Sequence, residues 1–174
     1  MDFQQSQTFI NLQNAYKYEL QSTAKFEVFS KRAEQEVLLG ISNIFSTASR
    51  NNSFIAERLR RLLYDGDTTT AQNLQEAAEE EAYAQNNLYQ EYSRIASEEG
   101  FNDLASLFNG IGNIKLNHTF AFRTAEDEMQ NNTLFCKPGE VLWVCLGCGN
   151  ILSGVCAPAV CPICGYPQGY YQLL

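Results

Sequence analysis

The first 132 residues contain neither cysteine nor proline, and the whole chain of 174 residues has a single histidine. Since proline is the residue that most strongly interrupts helices, nothing in this segment forces a helix to break. All six cysteines and all four prolines follow Asn132. This change in composition predicts two domains, a helical domain over residues 1–130 and a small domain over residues 140–174, joined by a linker at 131–139.

Basic residues are also scarce. The chain has 12 Lys and Arg against 20 Asp and Glu, for a net charge of −8, and this acidity argues against a nucleic-acid partner because phosphates would be repelled. The chain contains no run of about 18 apolar residues, so we do not expect a segment that spans a membrane. The N-terminal sequence M-D-F-Q-Q-S-Q lacks the pattern of a signal peptide. We therefore expect a cytoplasmic, reducing location, where thiols that hold a metal stay reduced.

The strongest motif is a pair of C-x-x-C sequences twelve residues apart, each followed by a glycine, Gly149 or Gly165. The four cysteines are Cys145, Cys148, Cys161 and Cys164. Two intervening residues let both sulfurs of a tight turn face one ion, and two such turns complete a tetrahedron. The pattern predicts a four-thiolate site for one metal ion, and the spacing does not distinguish iron from zinc.

Other residues of the C-terminal domain carry weaker predictions. We expect four aromatic side chains to pack around the metal and shelter it from water: Trp143, Tyr166, Tyr170 and Tyr171. Cys136 and Cys156 are placed too irregularly to join the tetrahedron. We predict that these two are free thiols rather than ligands or a disulfide.

Apolar residues recur at steps of three and four in four stretches of the N-terminal domain, over residues 5–36, 41–64, 69–97 and 102–129. The sequence D-G-D-T at 65–68 predicts a turn, and Gly100 is expected just past the end of the third helix. Four long helices with short connections predict a four-helix bundle.

Five polar residues fall on or beside the apolar stripes of these helices: Glu19, Asn52, Glu81, Lys115 and His118. Polar groups on the inward face of every helix of a bundle indicate a buried site. An error of one position in the helical phase would instead place some of them in solvent.

A helical bundle followed by a four-cysteine domain, at this length, resembles the rubrerythrin family. Local likeness extends along the chain, in G-I-S-N-I-F, S-R-I-A-S-E-E-G-F, L-F-N-G-I and the closing C-P-I-C-G-Y-P-Q-G-Y-Y-Q-L-L. The resemblance implies a ferritin-like bundle that holds two irons between carboxylates, a rubredoxin-like iron that passes electrons to them, peroxide reduction as the activity, and a homodimer.

The same resemblance implies a ligand pattern for the two irons. The family has a Glu on helix one, Glu-x-x-His on helix two, two Glu three residues apart on helix three, and Glu-x-x-His on helix four. Matched to this pattern, three positions of the chain keep a ligand: Glu19, Glu81 and His118. Four positions have lost it: Asn52, Ile55, Ala84 and Lys115.

The remaining ligands are too few for two irons, which need about six or seven ligands with several carboxylates. We predict a degenerate site without the diiron centre, and we assign no catalytic residue. In one hypothesis Lys115 replaces the metal and pairs with Glu19 and Glu81. In the competing hypothesis a single metal ion is bound by Glu19, Glu81 and His118.

These predictions favour a rubrerythrin-like electron carrier whose cofactor is one iron in the four-cysteine site. A structural or assembly protein whose four cysteines hold zinc is the first alternative, and a peroxide reductase with an altered site is the second. The expected partners are a second copy of the chain, in a homodimer or a larger oligomer, and a redox or assembly protein.

Overall fold

The structure is a computed structural model that describes residues 2–174. Five helices form in chain order: α1 (Gln7–Gln35), α2 (Leu39–Leu63), α3 (Thr70–Tyr83), α4 (Gln90–Glu98) and α5 (Asn102–Gln130). A six-residue π-helical segment, Ala84–Tyr89, joins α3 to α4. Three strands follow: β1 (Cys136–Cys145), β2 (Ile151–Cys156) and β3 (Tyr171–Leu173). The chain divides into two compact units, Met1–Thr69 and Thr70–Leu174.

In the first unit, α1 and α2 form a hairpin whose seam is made of small residues. Ser30 is buried, and its hydroxyl lies 2.9 Å from that of Ser42, while the Ser49 hydroxyl donates to the backbone oxygen of Thr23 at 2.9 Å. These side chains let the helices approach closely, and the hydrogen bonds satisfy the polar groups that burial removes from water.

In the second unit, α3, the π-helical segment and α4 pack along α5. Small buried residues again line the contact: Ala78, Ser93, Ala96, Ala105, Gly112 and Thr119. The Ser93 hydroxyl donates to the backbone oxygen of Ala105 at 2.9 Å. At Gly112 an added Cβ would lie 3.6 Å from the Cβ of Tyr89, so the π-helical segment lies directly on α5 there.

The predicted helices agree with the observed ones to within a few residues. Gly100 has φ +86° just after α4, as predicted, and Asp65 and Gly66 have positive φ in the predicted turn at 65–68. The π-helical segment was not predicted, because the extra residue in one turn leaves the apolar pattern on either side nearly unchanged.

The C-terminal part folds as an antiparallel sheet of order β2-β1-β3. Its core consists of Trp143, Cys145, Ala157, Cys161 and Tyr171. β1 begins at Cys136, inside the predicted linker over 131–139. The limits of the two predicted domains, 1–130 and 140–174, stay a prediction.

The prediction of free thiols at Cys136 and Cys156 is wrong. The two residues form a disulfide, 20 residues apart in the sequence. They are paired across β1 and β2, and this register brings their side chains together. Residues of such distant sequence positions become neighbours only through strand pairing, so their sequence spacing contained no sign of it.

Candidate metal centres

The C-terminal sheet gathers the four predicted cysteine ligands into one cluster. Their sulfurs all lie within 4.8 Å of one another. The Sγ atoms of Cys145 and Cys164 are 3.6 Å apart, and those of Cys148 and Cys161 are 3.7 Å apart. A tetrahedral ion with metal–sulfur bonds of about 2.3 Å has sulfur–sulfur edges of about 3.8 Å. The donor set therefore fits one tetrahedral iron or zinc ion.

Each C-x-x-C turn is built in the same way. In the first, the Gly149 N–H donates to the backbone oxygen of Cys145 at 2.7 Å, and Gly149 has φ +75°. In the second, the Gly165 N–H donates to the backbone oxygen of Cys161 at 2.9 Å, and Gly165 has φ +74°. A residue with a side chain would be strained at this φ, so the glycine that follows each pair is needed for the turn to close.

The environment of the sulfurs shifts the pKa values of two of the thiols in opposite directions. The Tyr171 hydroxyl and the backbone N–H of Cys164 lower the pKa of Cys161 to about 6. The backbone N–H of Tyr166 lowers the pKa of Cys164, but desolvation and the neighbouring cysteine sulfurs outweigh it and raise this pKa to about 12. Four thiolates this close repel one another, so they are all deprotonated at neutral pH only when a metal ion compensates their charge.

Two of the four predicted aromatic residues, Trp143 and Tyr171, are buried in the core beside this site. Trp143 is buried and its Nε1 donates to the backbone oxygen of Gly154 at 3.1 Å. Tyr171 is also buried, and within residues 2–174 its hydroxyl has no formed hydrogen bond. The hydroxyl acts on Cys161, whose pKa it lowers, and Cys161 in turn raises the pKa of Tyr171 to about 12.

The other two, Tyr166 and Tyr170, are exposed rather than part of the core. Their rings stack with centroids 4.3 Å apart. Tyr166 covers the first cysteine turn from outside, since a Cβ added to Gly147 would lie 2.1 Å from its ring. Tyr166 therefore shields the turn as predicted, although from the surface, and Gly147 leaves the space for it.

In the helical part of the second unit, three predicted residues meet. The Nζ of Lys115 donates to Oε1 of Glu81 at 2.8 Å, and the Nδ1 of His118 lies 2.8 Å from Oε2 of Glu81. Glu81 lies on α3, while Lys115 and His118 lie one turn apart on α5. Both carboxylate oxygens of Glu81 therefore already have a partner from the protein.

The charge of Glu81 follows from these contacts. Desolvation raises the pKa of Glu81, but the hydrogen bonds from Lys115 and His118 outweigh it, and the net effect lowers the pKa. Glu81 is thus ionised at neutral pH and can only accept hydrogen bonds. Nδ1 of His118 must then carry the proton that it donates to Glu81.

The other residues of the predicted ligand pattern are distributed over three helical segments. Glu19 lies half-buried on α1 and Asn52 half-buried on α2, while Ile55 on α2 is exposed. Ala84 is the first residue of the π-helical segment. The pairing of Lys115 with Glu81 matches the ion-pair hypothesis, and the part of Glu19 in it stays a prediction.

Sequence reasoning missed two features near these centres. The π-helical segment begins three residues after Glu81, and π-helical turns inside helices occur often at functional sites. The disulfide of Cys136 and Cys156 closes the end of the sheet that bears no metal ligands. No sequence signal marked this disulfide, because the spacing of Cys136 and Cys156 does not reveal the register of the strands that carry them.

Comparison with known proteins agrees with this arrangement. The family model described as rubrerythrin matches residues 11–126, and the model described as the rubredoxin-like domain of rubrerythrin matches residues 143–172. These matches confirm the predicted fold class, which is mainly α with a ferritin-like bundle followed by a small rubredoxin-like four-cysteine domain. In the described residues, no helix is long and apolar enough to cross a membrane.

Similar proteins include a rubrerythrin of Clostridium perfringens, 32% identical over 97% of this chain and 94% of the relative. Rubrerythrin-1 of Clostridium acetobutylicum is 30% identical over 97% of this chain and 95% of the relative. A solved structure of nigerythrin in a mixed-valence state covers 97% of this chain and 87% of its own, with 20% identity and a TM-score of 0.37. The chain belongs to the rubrerythrin family.

Proposed function

We propose that this chain is an electron carrier with one iron in the four-cysteine site and no diiron centre in its helices. The observation that carries the proposal is the contrast between the two sites. Four sulfurs stand at tetrahedral spacing, whereas both carboxylate oxygens of Glu81 are already bound by Lys115 and His118.

The four-cysteine site is suited to electron transfer. Iron held by four thiolates cycles between its ferrous and ferric states. Backbone N–H groups near the sulfurs, among them those of Asn150 and Tyr166, stabilise negative charge there and tune the potential. Cys148 and Cys164 lie toward the surface, while Cys145 and Cys161 are buried. The surface pair offers an electron a short path to a partner.

The surface beside these cysteines is apolar. Leu146 is 60% exposed and Ile163 is 70% exposed, each in the middle of a C-x-x-C turn. Exposed apolar residues around a redox centre are suited to a partner redox protein that docks there briefly and then dissociates. We propose such a redox protein as one partner, with an assembly protein as the alternative, and a second copy of this chain, in a dimer or larger oligomer, as the other.

The helical site is proposed to be free of metal because of its charges. Lys115 brings a positive charge to the carboxylate that a metal would need, and two nearby cations repel each other in a medium of low dielectric constant. Asn52, Ile55 and Ala84 supply no charge at positions where the family has ligands. The ion pair of Lys115 with Glu81 takes over the role of holding α3 against α5.

Metal analysis of the full chain tests the proposal. We expect about one iron per chain, with the visible absorption of ferric iron bound by thiolates. Cys161→Ser should abolish this absorption, and Glu81→Gln should leave it unchanged, because only the first residue is a proposed ligand. About three irons per chain, two of them lost in Glu81→Gln, together with peroxide reduction, would establish the altered-site peroxide reductase instead.

Zinc is the other ion that fits four thiolates, and it gives the structural alternative. A colourless protein that contains about one zinc per chain after growth in iron-rich medium would replace electron transfer by a scaffold or assembly role. A reducing cytoplasmic location is part of the proposal in either case, since the four thiolates must be reduced before they bind metal.

A further inference from the structure

The disulfide of Cys136 and Cys156 joins the first residue of β1 to the last residue of β2. Cys156 is exposed and Cys136 is half-buried. Thiol–disulfide exchange requires that a thiolate reach one sulfur of the bond. The bond is therefore open to attack from solvent on its Cys156 side.

The pairing of β1 with β2 is irregular next to the disulfide. The register between the strands shifts between Cys136 and Val141, so the residues between them form an irregular segment. One backbone hydrogen bond, from the Ala157 N–H to the Phe135 oxygen at 2.8 Å, crosses to the other strand beside the disulfide. Lys137 instead pairs with Glu128 of α5. The disulfide is the covalent link between this end of β1 and β2.

One metal ligand, Cys145, lies at the opposite end of the same strand, and another, Cys161, follows Cys156 by five residues. β1 has 10 residues, so at about 3.3 Å per residue its ends are separated by up to about 30 Å. Cys136 begins β1 and the ligand Cys145 ends it. The disulfide is thus separate from the four-cysteine cluster, whose sulfurs include neither Cys136 nor Cys156.

The two groups also require different conditions. Four of the six cysteines must be reduced thiols to take up metal, while the other two are oxidised to a disulfide. In reducing compartments disulfides are uncommon, and those that occur are usually transient, catalytic or redox-sensing. An exposed disulfide in such a chain is suited to reversible reduction rather than to permanent crosslinking.

We propose that Cys136 and Cys156 form a second redox site, a two-electron dithiol/disulfide couple that exchanges with low-molecular-weight thiols. A thiolate of the small thiol attacks Sγ of Cys156, and the disulfide breaks as Cys136 leaves as a thiolate and takes up a proton. A second small thiolate then attacks the sulfur of the first one, which releases Cys156 as a thiol. Two small thiols are thereby oxidised to their disulfide, and their two electrons reduce the protein disulfide.

Reduction has a structural consequence. With the disulfide open, the end of β1 is tied to β2 by noncovalent contacts alone, among them the strand pairing of Cys136 with Cys156 and the hydrogen bond from Ala157 to Phe135. The segment that leads out of α5 into the sheet then detaches locally, while the cysteine turns keep their own hydrogen bonds and the metal. The site thus couples the thiol status of the solution to the attachment of the rubredoxin-like domain. This inference rests on the disulfide alone and not on which metal the cluster holds.

The test is a glutathione titration of the metal-loaded full chain. The protein is equilibrated without oxygen in buffers of varied reduced-to-oxidised glutathione ratio, free thiols are alkylated, and each cysteine is read by peptide mass spectrometry. We expect Cys136 and Cys156 to become alkylated together as the ratio rises and to be protected again when it is reversed, with metal content unchanged. Resistance of the bond until the protein is unfolded, or alkylation of both at every ratio, would overturn the proposal.

Hydrogen exchange tests the structural consequence in the same samples. Amides of residues 134–137 and 154–157 should exchange on the order of tenfold faster after reduction, because their local opening is no longer restrained. Amides of residues 143–149, next to the metal, serve as the internal control and should not change. Equal protection of the first two segments in both redox states would show that no release occurs.

Two single variants test the direction of attack. In Cys136→Ser only the exposed Cys156 remains, and in Cys156→Ser only the half-buried Cys136 remains. Oxidised glutathione should modify Cys156 in the first variant several-fold faster than Cys136 in the second, since access limits exchange. The opposite order would refute attack at Cys156. The metal content of both variants reports that they fold.

Discussion

Replacing Lys115 by methionine removes the cation that faces Glu81 and keeps much of the length of the side chain. Lys115 is 26% exposed and Glu81 is 20% exposed, and their charged atoms are 2.8 Å apart. Exposed ion pairs contribute about 0–1 kcal/mol, and breaking a fully buried pair costs about 3–5 kcal/mol. Because this pair is only partly buried and Glu81 keeps His118, we expect a loss of about 1–2 kcal/mol.

The loss is measured by urea and thermal unfolding, followed by the circular dichroism of the helices at pH 7. In a chain of this size about 1 kcal/mol corresponds to about 2–4 °C in Tm, so Lys115→Met should lower the Tm by about 2–8 °C. A double-mutant cycle with Glu81→Gln isolates the pair itself. We expect a coupling free energy of about 1–2 kcal/mol between the two positions.

The matched control is Lys31→Met on α1. Lys31 pairs with Glu27 at a similar distance of 2.9 Å, but the two side chains are 67% and 60% exposed, so this substitution should cost less than about 0.5 kcal/mol. Equal losses in both variants, or a coupling near zero, would refute the idea that partial burial makes the Lys115 pair important. A gain of bound iron in Lys115→Met would contradict the ligand count of the helical site.

Three further predictions concern pH, a glycine and the disulfide. The pKa of Glu81 is lowered from 4.5 in the folded chain, so its contribution to stability is present above about pH 4.5 and is lost as the pH falls through the lowered value; the acid unfolding of Glu81→Gln, followed by circular dichroism, should lack this component. Gly147→Ala places a Cβ 2.1 Å from the Tyr166 ring, so the ring must be displaced. A chelator should then remove the metal several-fold faster than from wild type. Gly169→Ala, whose added Cβ meets no neighbour within 4 Å, should behave as wild type. Reducing the disulfide, which spans 20 residues, should lower the free energy of unfolding of the C-terminal domain by about 3 kcal/mol in denaturant titrations, and an unchanged value would exclude a stabilising role.

Much of the helical part could be predicted from sequence because its information is local. Apolar residues at helical spacing located α1, α2 and α5, and the absence of proline agreed with uninterrupted helices. The π-helical segment at 84–89 was missed, since one extra residue in a turn changes hydrogen bonding without a distinct sequence pattern.

The polar residues of the helices show a different limit. Helical phase predicted that Glu81, Lys115 and His118 face inward. Glu81 and Lys115 are partly buried, whereas the His118 side chain is 50% exposed. Helical phase also could not say which oxygen of Glu81 each partner would contact. The structure shows that Lys115 and His118 each take one oxygen of Glu81. This arrangement depends on how α3 and α5 are placed against each other, and helix packing is a property of side chains far apart in sequence.

The sequence by itself determined the four-cysteine site, because each C-x-x-C pair and the glycine after it specify a turn of only a few residues. Only the tertiary structure decided the state of Cys136 and Cys156, because the pairing of β1 with β2 brings together residues 20 apart. Local turns are set by the conformations open to neighbouring residues, whereas a cross-strand disulfide needs a register that the whole sheet selects. The same chain therefore carries one group of cysteines that its motif identifies and one that its fold alone reveals.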